Sequence, residues 1–159
     1  MSAAARDPGG EGGETLIELL VTIVILGLAG VAVMAGLELS VKTSDLGRKQ
    51  ANGGSYVRSL AEAIQDAANT SGGYKSCAAA NAYLSSAVKN AAGLPAGYTA
   101  TQTAAVVYNG TAWASCGTDD GSQRLTLNVT SPGAGSHQAS ESLTVIIRKP
   151  CSGSLPSPC

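Results

Sequence analysis

Phenylalanine is absent from this chain, Trp113 is its only tryptophan and His137 its only histidine. A core with so few large rings must be assembled from aliphatic side chains and five tyrosines, so it is thin and gains from cross-links. Charge is scarce as well. Ten Lys and Arg face eleven Asp and Glu, and the net charge of -1 offers no basic excess for nucleic acid as a bulk electrostatic partner. The cysteines Cys77, Cys116, Cys151 and Cys159 include no C-x-x-C pair, which with one histidine argues against a zinc site. An even count, all of it after the long apolar segment, fits two disulfides formed outside the cytosol, with three connectivities open. There is no G-x-x-x-x-G-K-[ST] sequence and no grouping of acid, base and nucleophile, so no enzyme activity, catalytic residue or cofactor is expected. His137 lies in SPGAGSHQAS with no nucleophile assigned to it.

What the chain does hold is one long apolar run. From Leu19 to Leu37 nineteen consecutive residues carry no charge, and as a helix they extend about 28 Å, close to the roughly 30 Å of a bilayer's hydrocarbon. One span is expected. Residues 1–13, MSAAARDPGGEGG, contain Pro8 and four glycines before the run begins and read as a leader. A secretory signal has a basic start and a shorter apolar stretch. Here Arg6 is offset by Asp7 and Glu11, although Ala29-Gly30-Val31-Ala32 offers a late cleavage site. Lys42, Arg48 and Lys49 follow the span and outnumber Arg6, which by the positive-inside rule alone keeps the cysteine-bearing part in the cytoplasm; the cysteines argue the other way.

Beyond the span, helix is expected to continue to Asn69. Val57, Leu60, Ile64 and Ala67 or Ala68 form an apolar stripe opposite Arg58, Glu62, Gln65 and Asp66. Gly53-Gly54 weaken its middle by about 1 kcal/mol each and mark a kink, and Ser71-Gly72-Gly73 ends it. Residues 78–92, AAANAYLSSAVKNAA, predict a second helix closed by Gly93 and Pro95. The C-terminal half then changes period. VVYNGTAW carries the Asn109-Gly110 signal of a two-residue hairpin, RLTLNVT alternates with Leu125, Leu127 and Val129 on one face, and SLTVIIRK groups Leu143, Val145 and Ile147. The expected fold is α+β: a long N-terminal helix, its first half membrane-spanning, packed on a small antiparallel sheet of about four strands.

At the junction of leader and span, Gly13-Glu14-Thr15-Leu16-Ile17-Glu18 followed by the apolar run resembles the type III signal of type IV pilins and of type II secretion pseudopilins. The resemblance covers the leader and first helix closely and the head in general plan. It implies that a prepilin peptidase cuts after Gly13 and N-methylates Glu14, and that Glu18 is the assembly glutamate. It divides the chain into a leader 1–13, a helix 14–69 with a membrane or filament-core part 14–38, and a head 70–159. Cleavage creates an α-amino group, largely cationic with an ordinary pKa near 8, one helical turn from Glu18. When helices stack with an axial offset, the ammonium of one copy meets the carboxylate of the next, and an apolar setting tolerates the pair while rejecting other registers. Two departures stand out: Glu14 occupies a position usually apolar in the family, so two carboxylates lie one turn apart, and the span carries Gly27, Gly30 and Gly36 in place of the proline often found in its second half.

Cys77 follows the long helix and Cys116 the hairpin, a placement that staples helix to sheet, and this pairing is the preferred one. The resemblance supplies the second pair, Cys151 with Cys159, because many pilins close a C-terminal loop this way. Gly27, Gly30, Ala32 and Gly36 suit close helix contacts in a filament and equally suit any span. Asp119-Asp120-Gly121 is a candidate for calcium, as in some pseudopilins, but two carboxylates are too few ligands and a solvated turn is the plainer reading, so no metal is assigned. Three Asn-x-Ser/Thr matches, at Asn69, Asn109 and Asn128, read as chance. The function expected is a filament subunit, held by one span in the cell membrane with its head extracytoplasmic and then polymerised outside the cell. Its partners are other copies of itself, the prepilin peptidase, the inner membrane and the pilus assembly machinery. A pseudopilin or minor pilin is the near alternative, and a singly anchored binding domain that never polymerises is the rival class.

Overall fold

The computed structural model describes residues 14–151, with side chains from Leu16 onward; the expected leader 1–13 and the tail 152–159 lie outside the described residues. The chain divides into two units at Thr43 and Ser44, a boundary that falls inside helix α1, Glu14–Asn69. In the first unit the helix is apolar on every side, and its large side chains are all exposed, from Val21 at 50% to Met34 at 76%. It is long and apolar enough to cross a membrane. Thr22, the one hydroxyl in the run, donates to the Glu18 carbonyl at 2.7 Å and so hides its polarity within its own helix.

The second unit holds the rest of α1, the six-residue helix α2, Ser86–Ala91, and a five-stranded antiparallel sheet: β1, Thr99–Gln102; β2, Val106–Tyr108; β3, Trp113–Ser115; β4, Ser122–Thr130; and β5, Ser140–Arg148. β4 is the centre. β5 pairs along its whole length, from Ser122 opposite Arg148 to Thr130 opposite Ser140. On the other side β1 lies beside residues 127–130, while β2 meets β4 at Val106 and Arg124 and carries β3. Gln123, Leu125, Leu127 and Val129 of β4 are fully buried, and Val57, Leu60, Ile64 and Ala68 of α1 close over them. Arg58, Glu62, Gln65 and Asp66 are exposed, as the stripe predicts. This is the α+β, pilin-like architecture of one long helix packed on a small antiparallel sheet.

Four details differ from the sequence expectation. The sheet has five strands rather than about four, because β1, TATQ, buries Gln102, half-buries Ala100 and has no apolar alternation to announce it. Helix α1 continues through Gly53 and Gly54. Gly53 is buried, and a Cβ there would come within 3.1 Å of Glu141 Cγ, so glycine lets β5 approach the helix. The β2–β3 hairpin turns through four residues, 109–112, rather than two: Asn109 Oδ1 accepts from the backbone N–H groups of Thr111 and Ala112 at 3.1 and 2.9 Å and holds the wider loop. The helix expected over 78–92 shrinks to Ser86–Ala91, capped by Ser85. Residues before it cannot be helical, since Cys77 and Asn81 sit at φ of 46° and 61° and the N–H groups of Ala78 and Tyr83 are taken by glutamine side chains from the sheet.

Candidate functional site

Two places carry the expected functional residues. The first is the start of α1. Gly13 lies outside the described residues; Glu14 is the first residue of the helix, and Glu18 stands one turn further on. Glu18 is exposed, and among the described residues its carboxylate has no hydrogen-bond or ion-pair partner. Its neighbours Leu16, Ile17, Leu19 and Leu20 are 58–69% exposed. An acid thus sits in an apolar surface that no described residue of its own unit covers.

The second place is the stretch from Thr70 to Ser85, an irregular loop whose order comes from groups far along the chain. The Cys77–Cys116 disulfide spans 39 residues and ties it to the segment after β3. Cys151 is also disulfide-bonded; Cys159, its expected partner, lies outside the described residues. Asp119 lies beside the first bridge. Its carboxylate accepts from the Tyr74 hydroxyl at 2.8 and 2.9 Å, the Cys77 N–H at 3.0 Å and the Gly121 N–H at 2.8 Å. Partial burial works to raise the Asp119 pKa, and these donors outweigh it, holding the carboxyl below its ordinary value. Tyr74 is pushed well above the usual tyrosine range, first by burial and then by the Asp119 carboxylate it bonds.

Beneath the loop, Gln123 is fully buried and fully used. Its Oε1 accepts from the Ala78 N–H at 3.1 Å, and its Nε2 donates to the Lys75 carbonyl at 3.0 Å and the Tyr83 hydroxyl at 2.9 Å. Gln102 does the same further along, accepting from the Tyr83 N–H and donating to the carbonyls of Ala79 and Thr103. Burial raises the Tyr83 pKa against the two hydrogen bonds its oxygen accepts, from Lys75 N–H and Gln123. Lys75 Nζ reaches the Ala82 carbonyl and lies 5.7 Å from the Tyr83 ring centroid.

This geometry replaces the solvated-turn reading of Asp119. The residue is a structural clamp, and its oxygens are already filled by donors; Asp120 is exposed. Among the described residues, no three His, Cys, Asp or Glu gather as a metal site. His137 closes a single 3-10 turn, Gly135–His137, and contributes its carbonyl, which accepts from Lys49 Nζ at 2.9 Å. Lys49 also pairs with Asp45 at 2.8 Å, and that hydrogen bond lowers the Asp45 pKa. The roles of Gln102, Gln123 and Asp119 were not visible in the sequence, since the loop groups they hold lie 19 to 48 residues away. Comparison with protein-family models, curated proteins and solved structures finds no match to this chain.

Proposed function

We propose that this chain is a prepilin, processed after Gly13 and polymerised through α1 into an extracellular filament of the type IV pilus kind. The observation that carries the reading is Glu18: an exposed carboxylate without a partner among the described residues, at the head of an exposed apolar helix. A carboxylate at hydrocarbon depth requires a partner, and the α-amino group freed at Glu14 is a cation of the right kind on a neighbouring copy. Before assembly the span holds the subunit in the cell membrane with its head extracytoplasmic; after assembly the same apolar surface packs against other copies. The motif resemblance extends the reading to the prepilin peptidase and the assembly machinery as partners, and it leaves pilus and type II pseudopilus as two uses of one subunit design.

Mass spectrometry of the mature N-terminus is the first test. A chain beginning at Glu14 with one added methyl supports the reading, whereas a start beyond about residue 32, or a retained leader, sinks it in favour of a signal-cleaved or singly anchored domain. The second is filament yield from cells carrying Glu18→Ala. Yield should collapse while processing continues, and an unchanged yield removes the pairing role.

A further inference from the structure

The face of the sheet turned away from α1 is uncovered among the described residues, and its side chains fall into two zones. Along β4 and β5 the outward residues are polar and uncharged: Thr126 stands opposite Thr144, Asn128 opposite Ser142, and Thr130 opposite Ser140. β1 extends the rows, with Thr101 opposite Asn128 and Thr99 opposite Thr130. Cross-strand hydrogen bonds fix these groups, Thr126 to Thr144 at 3.2 Å and Ser140 to Asn128 Oδ1 at 3.0 Å, so the hydroxyls form a set lattice of donors and acceptors. By strand geometry it covers about 14 by 10 Å.

The next row changes character. Arg124 stands opposite Ile146, and Arg148 is its diagonal neighbour on β5. The Arg124 guanidinium lies over the Trp113 ring at 4.5 Å, and Tyr108 packs beside Trp113 at 5.7 Å between ring centroids. Tyr108 is 50% and Ile146 47% exposed. Neither arginine has a carboxylate partner among the described residues. Lying over the Trp113 ring, with no carboxylate partner among the described residues, the Arg124 guanidinium has N–H donors suited to a carboxylate. The outward positions of β4 and β5 hold no acid.

We propose that this face binds an acidic polysaccharide, a chain of sugar rings bearing carboxylates, independently of whether the subunit polymerises. Charge complementarity selects that occupant. The two arginines, unpaired among the described residues, call for an anion at one end, the half-exposed Tyr108 ring beside Trp113 offers apolar surface to the C–H side of a sugar, and the hydroxyl lattice meets the sugar hydroxyls. A nucleic acid matches less well: each strand brings a phosphate about every 3.4 Å, and the hydroxyl zone has no cation to meet them.

The test uses the full chain in detergent micelles with four probes: polygalacturonate, its methyl-esterified neutral form, polyglutamate and double-stranded DNA. Polygalacturonate should bind about tenfold or more tightly than the ester, the scale of one charge-assisted hydrogen bond, with polyglutamate and DNA no better than the ester. The double variant Arg124→Gln with Arg148→Gln should erase the preference for acid over ester, with far-ultraviolet circular dichroism reporting that the sheet remains folded. Trp113→Ala should weaken both and narrow the gap between acid and ester, because Arg124 loses the ring it lies over. Absence of polygalacturonate binding, equal or tighter binding of polyglutamate or DNA, or an acid preference that survives loss of both arginines overturns the proposal. The acid-to-ester ratio of the unsubstituted chain is decisive even if a variant fails to fold.

Discussion

Replacing Gln123 with methionine tests the claim that a buried amide, rather than local helix propensity, orders the loop from Thr70 to Ser85. Methionine nearly preserves the shape, so no large cavity opens, and what disappears is three hydrogen bonds, to Ala78 N–H, Lys75 carbonyl and Tyr83 hydroxyl. The Lys75 carbonyl belongs to an exposed residue and can turn to water, and the Tyr83 oxygen keeps its bond from Lys75 N–H. Ala78 has no such recourse: the residue is 3% exposed and its N–H is left orphaned. Counting about 1 kcal/mol for each lost bond and a further ~1 for the orphaned donor, against about 1 regained by burying an apolar side chain, the net loss is about 3 kcal/mol. For a head of this size that lowers Tm by roughly 10 °C. Thermal unfolding of the full chain in detergent, followed by the fluorescence of Trp113, reads it directly, and hydrogen exchange at Ala78 and Tyr83 locates it. A shift smaller than about 3 °C, with unchanged exchange at those amides, refutes the reasoning, because the loop would then be held by something other than Gln123.

Serine at both Cys77 and Cys116 frees a loop spanning 39 residues, and the chain-entropy estimate puts the loss near 4 kcal/mol, measurable as a fall in denaturant midpoint at constant slope; a loss below about 1 kcal/mol counts against the bridge as a main brace. Stability should fade at both pH extremes around the Tyr74–Asp119 pair. Asp119 has a folded pKa below 3.8, so its contribution is present above that pH and lost as pH falls through the folded value; Tyr74 is raised above 10.0, so its contribution is present below pH 10 and lost as pH climbs toward the folded value. In urea titrations across pH, Asp119→Asn should flatten the acid limb. Tyr74→Phe should shrink the alkaline limb without abolishing it, since Tyr83 is also raised.

Elements with a repeating apolar pattern were legible in advance. Leu125, Leu127 and Val129 announced β4, and the stripe from Val57 to Ala68 named the helix face that covers it, because burial on one side imposes a period of two or of three to four on whatever is buried. What escaped was order supplied by polar groups. β1 turns Gln102 inward, and the loop before α2 is alanine-rich enough to read as helix until Gln102, Gln123 and Asp119 claim its N–H groups. Such claims depend on which residues the sheet register brings together, and register is a tertiary property. The hydroxyl lattice and the Arg124–Trp113 stack were hidden for the same reason: each residue reads as an ordinary outward strand position until β1, β4 and β5 are aligned. At the helix start the position is reversed, because the feature is local. Gly13, Glu14 and Glu18 lie within six residues, and their spacing is readable without a fold.

In the proposed filament, the energetics of α1 favour Glu18 over the apolar run as the group that governs assembly. Sixteen large apolar side chains between Leu16 and Val41 are exposed in the isolated chain. Covering them is worth on the order of 20 kcal/mol, more than the 5–15 kcal/mol that typically holds a domain folded, so the helix cannot persist bare in water. In the proposed cycle it passes from lipid to a packing of like helices, and both settings are apolar. The hydrophobic term is then nearly equal on the two sides and gives the transfer neither direction nor register. The carboxylate of Glu18 differs between them: in lipid no described side chain of its own helix answers it, and in the proposed filament a neighbour's amino terminus does. Glu18→Ala should therefore leave membrane residence intact and remove the preference for the stacked state, and the same holds if the amino group at Glu14 is blocked by a neutral acyl cap. A capped subunit that assembled normally would show that packing of the apolar surfaces suffices, and would shift the role of Glu18 from assembly to processing.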